Sequence, residues 1–277
     1  MIIHLLLKFK NLANIQEFKL RILSTIVLLS LFFGLYVLGN PFFSFFFVLS
    51  FFILFYEFEF ICRNSVKKNQ IFKILIFQFL LLAFLISGLY SLDITERVSN
   101  FLVLLTISIF INLLFFKTYI NWLCVFISSL IILSFFSLIN ILIRPDGSIF
   151  FLYLVILVST MDIFAYLGGK IFGNIKIAPK ISTGKTLEGT LIGISVTVLM
   201  SIIAKHLVGF IFVQALIAGI LIALLAFWGD LLESYLKREI GVKDSGNIIP
   251  GHGGVMDRFD GYFLILPFYN VYLANWL

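Results

Sequence analysis

Charge is what this sequence is short of. Asp, Glu, Lys and Arg make up 12% of its 277 residues, against 61% hydrophobic residues and a mean hydropathy of +1.13. That balance excludes an ordinary soluble domain and fits a polytopic protein whose solvent is the bilayer. Cysteine is scarce as well. Cys62 and Cys124 form no CxxC or Cys/His spacing, which excludes a disulfide framework and a zinc site and leaves two small apolar core residues. Repeats and low-complexity tracts are missing, and no stretch reads as a soluble domain. The net charge of +6 would suggest nucleic acid in a soluble protein. Here it is expected in cytoplasmic loops, and nucleic acid is not an expected partner. The 35 phenylalanines reflect compositional bias and indicate no function.

What the chain does have is long apolar runs. A helix needs roughly 17–25 mostly apolar residues to cross about 30 Å of hydrocarbon. That criterion predicts nine spans, near residues 22–38, 42–61, 72–91, 98–116, 119–143, 149–171, 187–205, 208–228 and 261–276. No small-x-small cleavage site follows the first run, so it is expected to be a retained span. With the N-terminus inside, every basic residue except Arg97, Arg144 and Lys205 falls on the inner side, as the positive-inside bias requires. The expected fold is therefore an all-α, multi-pass integral membrane protein with a cytoplasmic N-terminus. Residues 1–147 read as scaffold and 148–277 as the functional region, with cytoplasmic loops 172–186 and 229–260. In the first half only Glu57 and Glu59 invite comment. They lie near the inner interface, where anchoring or pairing with Arg63 is the expected role.

Three polar stretches remain. Asp162 lies inside the sixth span, where a carboxylate costs roughly 2.5–3.5 kcal/mol on insertion scales. Gly168, Gly169 and Gly173 follow it, suited to close helix packing or close backbone approach to a ligand. The loop sequence KISTGKTLEG, Lys180 to Gly189, is not a P-loop, because it lacks the earlier glycine and the preceding strand. It still offers Lys185 as a point charge for phosphate, Thr186 as a hydroxyl donor, and Glu188 as a helix cap or metal ligand.

The third stretch, SYLKREIGVKDSGNIIPGHGGVMDRFD, runs from Ser234 to Asp260, and six of the fourteen acids fall between Asp230 and Asp260. If the eighth helix continues past the interface, Asp230, Ser234 and either Lys237 or Arg238 share one face. In the Pro250 to Gly254 turn, glycines can expose backbone N–H groups to an anion, with His252 beside them. Asp257 and Asp260 are expected to open the last span on a shared face, with Asp230 and Asp257 placed to converge. Clustered carboxylates repel unless a cation joins them, and Mg2+ is commonly held by one or two carboxylates plus substrate phosphates. Acids for metal, lysine and arginine for phosphate, and glycine for backbone approach form the inventory of phosphoryl or nucleotidyl transfer.

The positions Ser234, Lys237, Arg238, Lys243, Asp244, His252, Gly253, Gly254, Asp257, Arg258 and Asp260 closely resemble the signature of the phosphatidate cytidylyltransferase (CDP-diacylglycerol synthase) family. DIFAYLGGKIFG, KISTGKTLEG, the N-terminal RILSTIVLLS and YEFE resemble other segments of that family. Departures are Thr183 for proline, Gly184 for lysine, Leu187 for an aromatic and Lys170 for arginine, which bear on loop rigidity and one phosphate contact.

The resemblance implies cytidylyl transfer from CTP to phosphatidic acid at the cytoplasmic (inner or plasma) membrane, with Mg2+, alone or with a second cation. It further implies Asp230 and Asp257 as principal metal ligands with Asp260 and Asp162 beside them. Lys237, Arg238, Lys185 and Arg258 would bind phosphate, and Lys243, Asp244 and His252 would shape the nucleotide site. A homodimer is implied by the resemblance alone. The alternatives are a CTP-dependent lipid kinase, a CDP-alcohol phosphotransferase, whose DGxxAR…GxxxDxxxD pattern is absent, and an ion-coupled transporter.

Overall fold

The computed structural model describes residues 23, 26–27, 30–31, 33–63, 119–246, 248–249 and 253–276. Their regular structure is helical: α1 (Asn40–Arg63), α2 (Tyr119–Ile143), α3 (Gly147–Phe172), α4 (Leu187–Ala204), α5 (Phe212–Ile240), the single turn α6 (Met256–Phe259) and α7 (Tyr262–Trp276). Extended pairing among the described residues is limited to two isolated bridges, Lys176 with Thr186 and Ile249 with Gly253. A helix satisfies its own backbone groups, which is what a chain in hydrocarbon needs.

Five helices are long and apolar enough to cross a membrane, through Phe45–Cys62, Leu123–Ile143, Gly147–Phe172, Leu187–Leu207 and Phe212–Ile240. They correspond to the expected second, fifth, sixth, seventh and eighth spans. In the expected first span, residues 33–38 are helical. The expected spans 72–91 and 98–116 lie outside the described residues. The last expected span is a helix of 15 residues, Tyr262–Trp276. Phe45, Phe52, Tyr56 and Phe60 on α1, and Leu191, Leu199 and Ile203 on α4, stay exposed, the apolar surface that lipid accommodates.

The chain divides into two units, residues 1–58 with 244–258 and residues 59–243 with 259–277. In the larger unit helices meet through small residues and buried hydroxyls. A Cβ on Gly189 of α4 would lie 2.5 Å from the Ala165 carbonyl oxygen of α3, so glycine sets how closely these two helices approach. The Tyr153 and Ser201 hydroxyls are 2.5 Å apart, and Ser201 donates to the Ala215 carbonyl, linking α3, α4 and α5. The Ser134 hydroxyl donates to the Phe263 carbonyl at 2.7 Å and Tyr272 to that of Gln214 at 2.6 Å, fastening α7 to α2 and α5. Interhelical hydrogen bonds of this kind contribute about 0.6–2 kcal/mol each in lipid. Cys62 and Cys124 are free, buried thiols, in keeping with their expected place in the core. Their sulfurs lie 2.8 Å apart, a pairing that 62 residues of separation concealed.

Candidate active site

The site in the larger unit begins with the loop between α3 and α4. Ile177 N–H donates to the Lys185 carbonyl and Leu187 N–H to that of Ile175, closing residues 173–186 on themselves. Thr186 is extended and caps α4 by accepting from Gly189 N–H at 3.3 Å. The Glu188 carboxylate reaches back to the Asn174 and Ile175 amides at 3.1 and 3.2 Å. Glu188 thus braces the loop, a contact that neither of its two expected roles named. Thr186 is buried, and its hydroxyl oxygen serves the helix. Thus braced, the loop delivers Lys185 to α5, where its Nζ lies 2.7 Å from Asp230 Oδ2 and 5.0 Å from the centre of the Phe227 ring.

Helix α5 does continue, 29 residues from Phe212 to Ile240, well beyond the expected end at residue 228. It stops at Gly241, whose φ of 83° allows its N–H to return to the Arg238 and Lys237 carbonyls. The extension places Asp230 and Ser234 together, with the Ser234 hydroxyl donating to Asp230 Oδ1 at 3.3 Å. Of the two basic residues weighed for this face, Lys237 turns inward and Arg238 outward. Lys237 is buried and pairs with Glu233 at 2.6 Å. The exposed Arg238 donates to the Ile181 and Val242 carbonyls at 3.3 and 3.2 Å. Glu233 carried no expected role; its i, i+4 spacing to Lys237 was the available signal.

Asp260 reaches this region through a close backbone approach. A Cβ on Gly229 would lie 2.8 Å from the Asp260 carbonyl oxygen and 2.9 Å from that of Gly261, so the turn after α6 sits against α5 one residue before Asp230. Burial, then the negative charges of Asp230 and Asp162, push the Asp260 carboxyl up to about 8. The Gly261 amide, 2.7 Å from Oδ1, and the Lys237 charge pull the other way. Asp162 of α3 and Asp230 of α5 thus act on Asp260 in the 260–261 turn, as does Lys237, while Lys185 pairs with Asp230.

DRFD, whose first two residues belong to the smaller unit and whose last two belong to the larger, departs from expectation. It does not open the last helix: α6 is a single turn, and Asp260 and Gly261 interrupt the chain before α7 begins at Tyr262. Asp257 and Asp260 accordingly do not share the face of one continuous helix. The Asp257 carboxylate accepts from Ser245 N–H at 3.0 Å and Gly254 N–H at 2.9 Å, closing the loop on which it is carried. Gly253 is left-handed, with φ 82°. Asp244, Lys243 and Arg258 are exposed, and His252 lies outside the described residues.

Among the described residues, no three His, Cys, Asp or Glu side chains form a ready-made metal cluster. The donor chemistry of Asp162, Asp230 and Asp260 nonetheless fits a hard divalent ion. All three offer carboxylate oxygens, and the part of the upward push on Asp260 that comes, after burial, from Asp230 and Asp162 is repulsion that such an ion would relieve.

The sequence profile of the Cytidylyltransferase family matches residues 19–276. Over 128 residues the chain is 43% identical to the Escherichia coli (strain K12) protein YnbB, which is uncharacterized, across 46% of this chain and 43% of that one. It is 44% identical over 128 residues to a phosphatidate cytidylyltransferase of Helicobacter pylori (strain ATCC 700392 / 26695), across 46% and 47% of the two chains. With the phosphatidate cytidylyltransferase of Staphylococcus aureus (strain COL) it shares 40% identity over 134 residues, across 48% and 52%. The chain spans about half the length of the curated relatives it matches. With the profile running through both units and all three polar stretches, the chain belongs to the Cytidylyltransferase family.

Proposed function

We propose that this chain is a phosphatidate cytidylyltransferase, a nucleotidyltransferase that makes CDP-diacylglycerol and pyrophosphate from CTP and phosphatidic acid for phospholipid synthesis. The observation that carries the reading is the Lys185–Asp230 pair at 2.7 Å, with Asp230, Asp162 and Lys237 all acting on Asp260, in a member of the Cytidylyltransferase family. An oxygen of the lipid phosphate attacks the α-phosphorus of CTP, the bond from that phosphorus to the bridging oxygen breaks, and pyrophosphate leaves. The attacking oxygen is already ionised at neutral pH, so positioning and charge neutralisation dominate over proton transfer.

In this reading Lys185, Lys237 and Arg238 answer phosphate charge, and Asp162, Asp230 and Asp260 hold a magnesium-like ion, with a second cation possible in the same chemistry. When bound, such an ion offsets triphosphate charge and makes the α-phosphorus more electrophilic. Ser234 orients Asp230 through its hydroxyl. Asp257 is proposed as a ligand of the same kind, while Lys243, Asp244, His252, Gly253, Gly254 and Arg258 keep the roles that the signature implies.

The proposal extends to nine spans, a cytoplasmic N-terminus, both polar loops on the cytoplasmic face, location in the cytoplasmic membrane, and a homodimer. The placement of lysine and arginine supports the orientation. A lipid substrate supports the location, because its acyl chains stay in the bilayer while CTP arrives from water. The test is to incubate the purified protein in detergent with CTP, phosphatidate and Mg2+. CDP-diacylglycerol, identified by its mass, is the expected product, and its absence from folded protein that binds CTP contradicts the reading.

A further inference from the structure

We infer that Glu57 is a positioning residue for the loop that carries Asp257. The inference rests on the proposed role of that loop in cytidylyl transfer. Glu57 lies on α1 and is 4% exposed. Its Oε2 accepts from Met256 N–H at 2.8 Å and from the Ser245 hydroxyl at 3.5 Å, residues almost two hundred positions away in sequence. These are the two ends of the loop that Asp257 also closes, by accepting from Ser245 N–H and Gly254 N–H. Four donors are thus shared between two carboxylates. Ser245 gives its amide to Asp257 and its hydroxyl to Glu57, while the Gly254 and Met256 amides go one to each.

The packing is fitted to the glutamate. A Cβ on Gly254 would lie 2.5 Å from Glu57 Oε2, and one on Gly246 would lie 2.8 Å from Oε1. The signature glycine therefore also makes room for this carboxylate, besides leaving its N–H open to Asp257. Glu57 Oε1 is buried and has no hydrogen-bond partner among the described residues. An interface anchor would keep its carboxylate in water or on a basic residue; this one is withdrawn into the loop, at a desolvation cost that positioning of Asp257 accounts for.

The test compares Glu57→Ala and Glu57→Gln in the full-length protein by two readouts: amide hydrogen exchange of residues 244–258 and steady-state kinetics. Glu57→Ala is expected to accelerate exchange in residues 244–258 while leaving that of α3, α4 and α5 unchanged. It should also lower kcat by about 10²-fold at unchanged KM for phosphatidate, since small misplacements of catalytic groups cost that much. Glu57→Gln keeps one carbonyl acceptor for Met256 N–H, and should recover that protection and part of kcat. Wild-type exchange in the Glu57→Ala loop overturns the inference. So does faster exchange spread over the whole chain in both variants, which marks a general structural anchor. If Glu57→Ala fails to fold, a Glu57→Gln variant with neither slowed catalysis nor altered loop exchange overturns it equally. Failure of the wild-type protein to make CDP-diacylglycerol refutes the proposed activity, while the exchange result still decides whether Glu57 holds the loop.

Discussion

Lys185, delivered by the loop before α4, meets Asp230 of α5 with 2.7 Å between Nζ and Oδ2. In the proposed function the pair joins a cation suited to phosphate with an acid suited to metal, so that substrate entry would exchange partners without leaving either charge alone. Both side chains keep contact with solvent, and pairs of this kind add at most about 1 kcal/mol to stability. Lys185→Met is therefore expected to melt close to wild type yet to lose about 10²–10³-fold in kcat/KM for CTP, the usual loss when one charge-stabilising group is removed. Thermal melting and steady-state kinetics on the same preparation check this. Equal losses in both would place the pair in the fold and not in the reaction.

Glu233 and Lys237 form the opposite kind of pair, buried and one helical turn apart on α5. Removing one partner of a buried pair costs about 3–5 kcal/mol, whereas replacing both with apolar residues can be neutral. Glu233→Gln should lower the melting temperature, and the Glu233→Leu, Lys237→Met double variant should recover it without recovering activity. Recovery of activity in the double variant would remove Lys237 from the site.

Gly229→Ala tests the approach that brings Asp260 beside α5. The added methyl would meet the Asp260 and Gly261 carbonyl oxygens at 2.8 and 2.9 Å, and overpacking of this size costs about 1–3 kcal/mol. The turn is expected to shift away from Asp230, with a fall in kcat larger than the loss of stability implies. Wild-type turnover in Gly229→Ala would show that Asp260 need not lie this close.

Apolar length alone made five of the spans legible, because in lipid a long apolar run has few alternatives to a helix. The extension of α5 was legible as well, since Asp230, Ser234 and either Lys237 or Arg238 gain a common face only if the helix continues. What misled was DRFD: its i, i+3 acids suggested a helix start, yet the helix breaks at Asp260 and Gly261, where the chain packs against Gly229, a contact that local spacing does not show. Glu57 was read as an interface anchor or a partner of Arg63, whereas it accepts from Met256 N–H and the Ser245 hydroxyl. Its partners, Ser245 and Met256, are neighbours only in the fold, and nothing local separates a glutamate that snorkels from one that caps a distant loop. Glu188 had two readings in sequence, helix cap or metal ligand, and neither pointed to the Asn174 and Ile175 amides from which it accepts.

The most direct measurement follows the fate of two phosphorus labels. Purified protein is given phosphatidate, Mg2+ and CTP labelled at either the α- or the γ-phosphate, alongside Asp230→Asn. Cytidylyl transfer puts the α-label into a lipid-soluble product and the γ-label into pyrophosphate, and both transfers are lost in Asp230→Asn. Entry of the γ-label into lipid would make the protein a CTP-dependent lipid kinase and contradict the account.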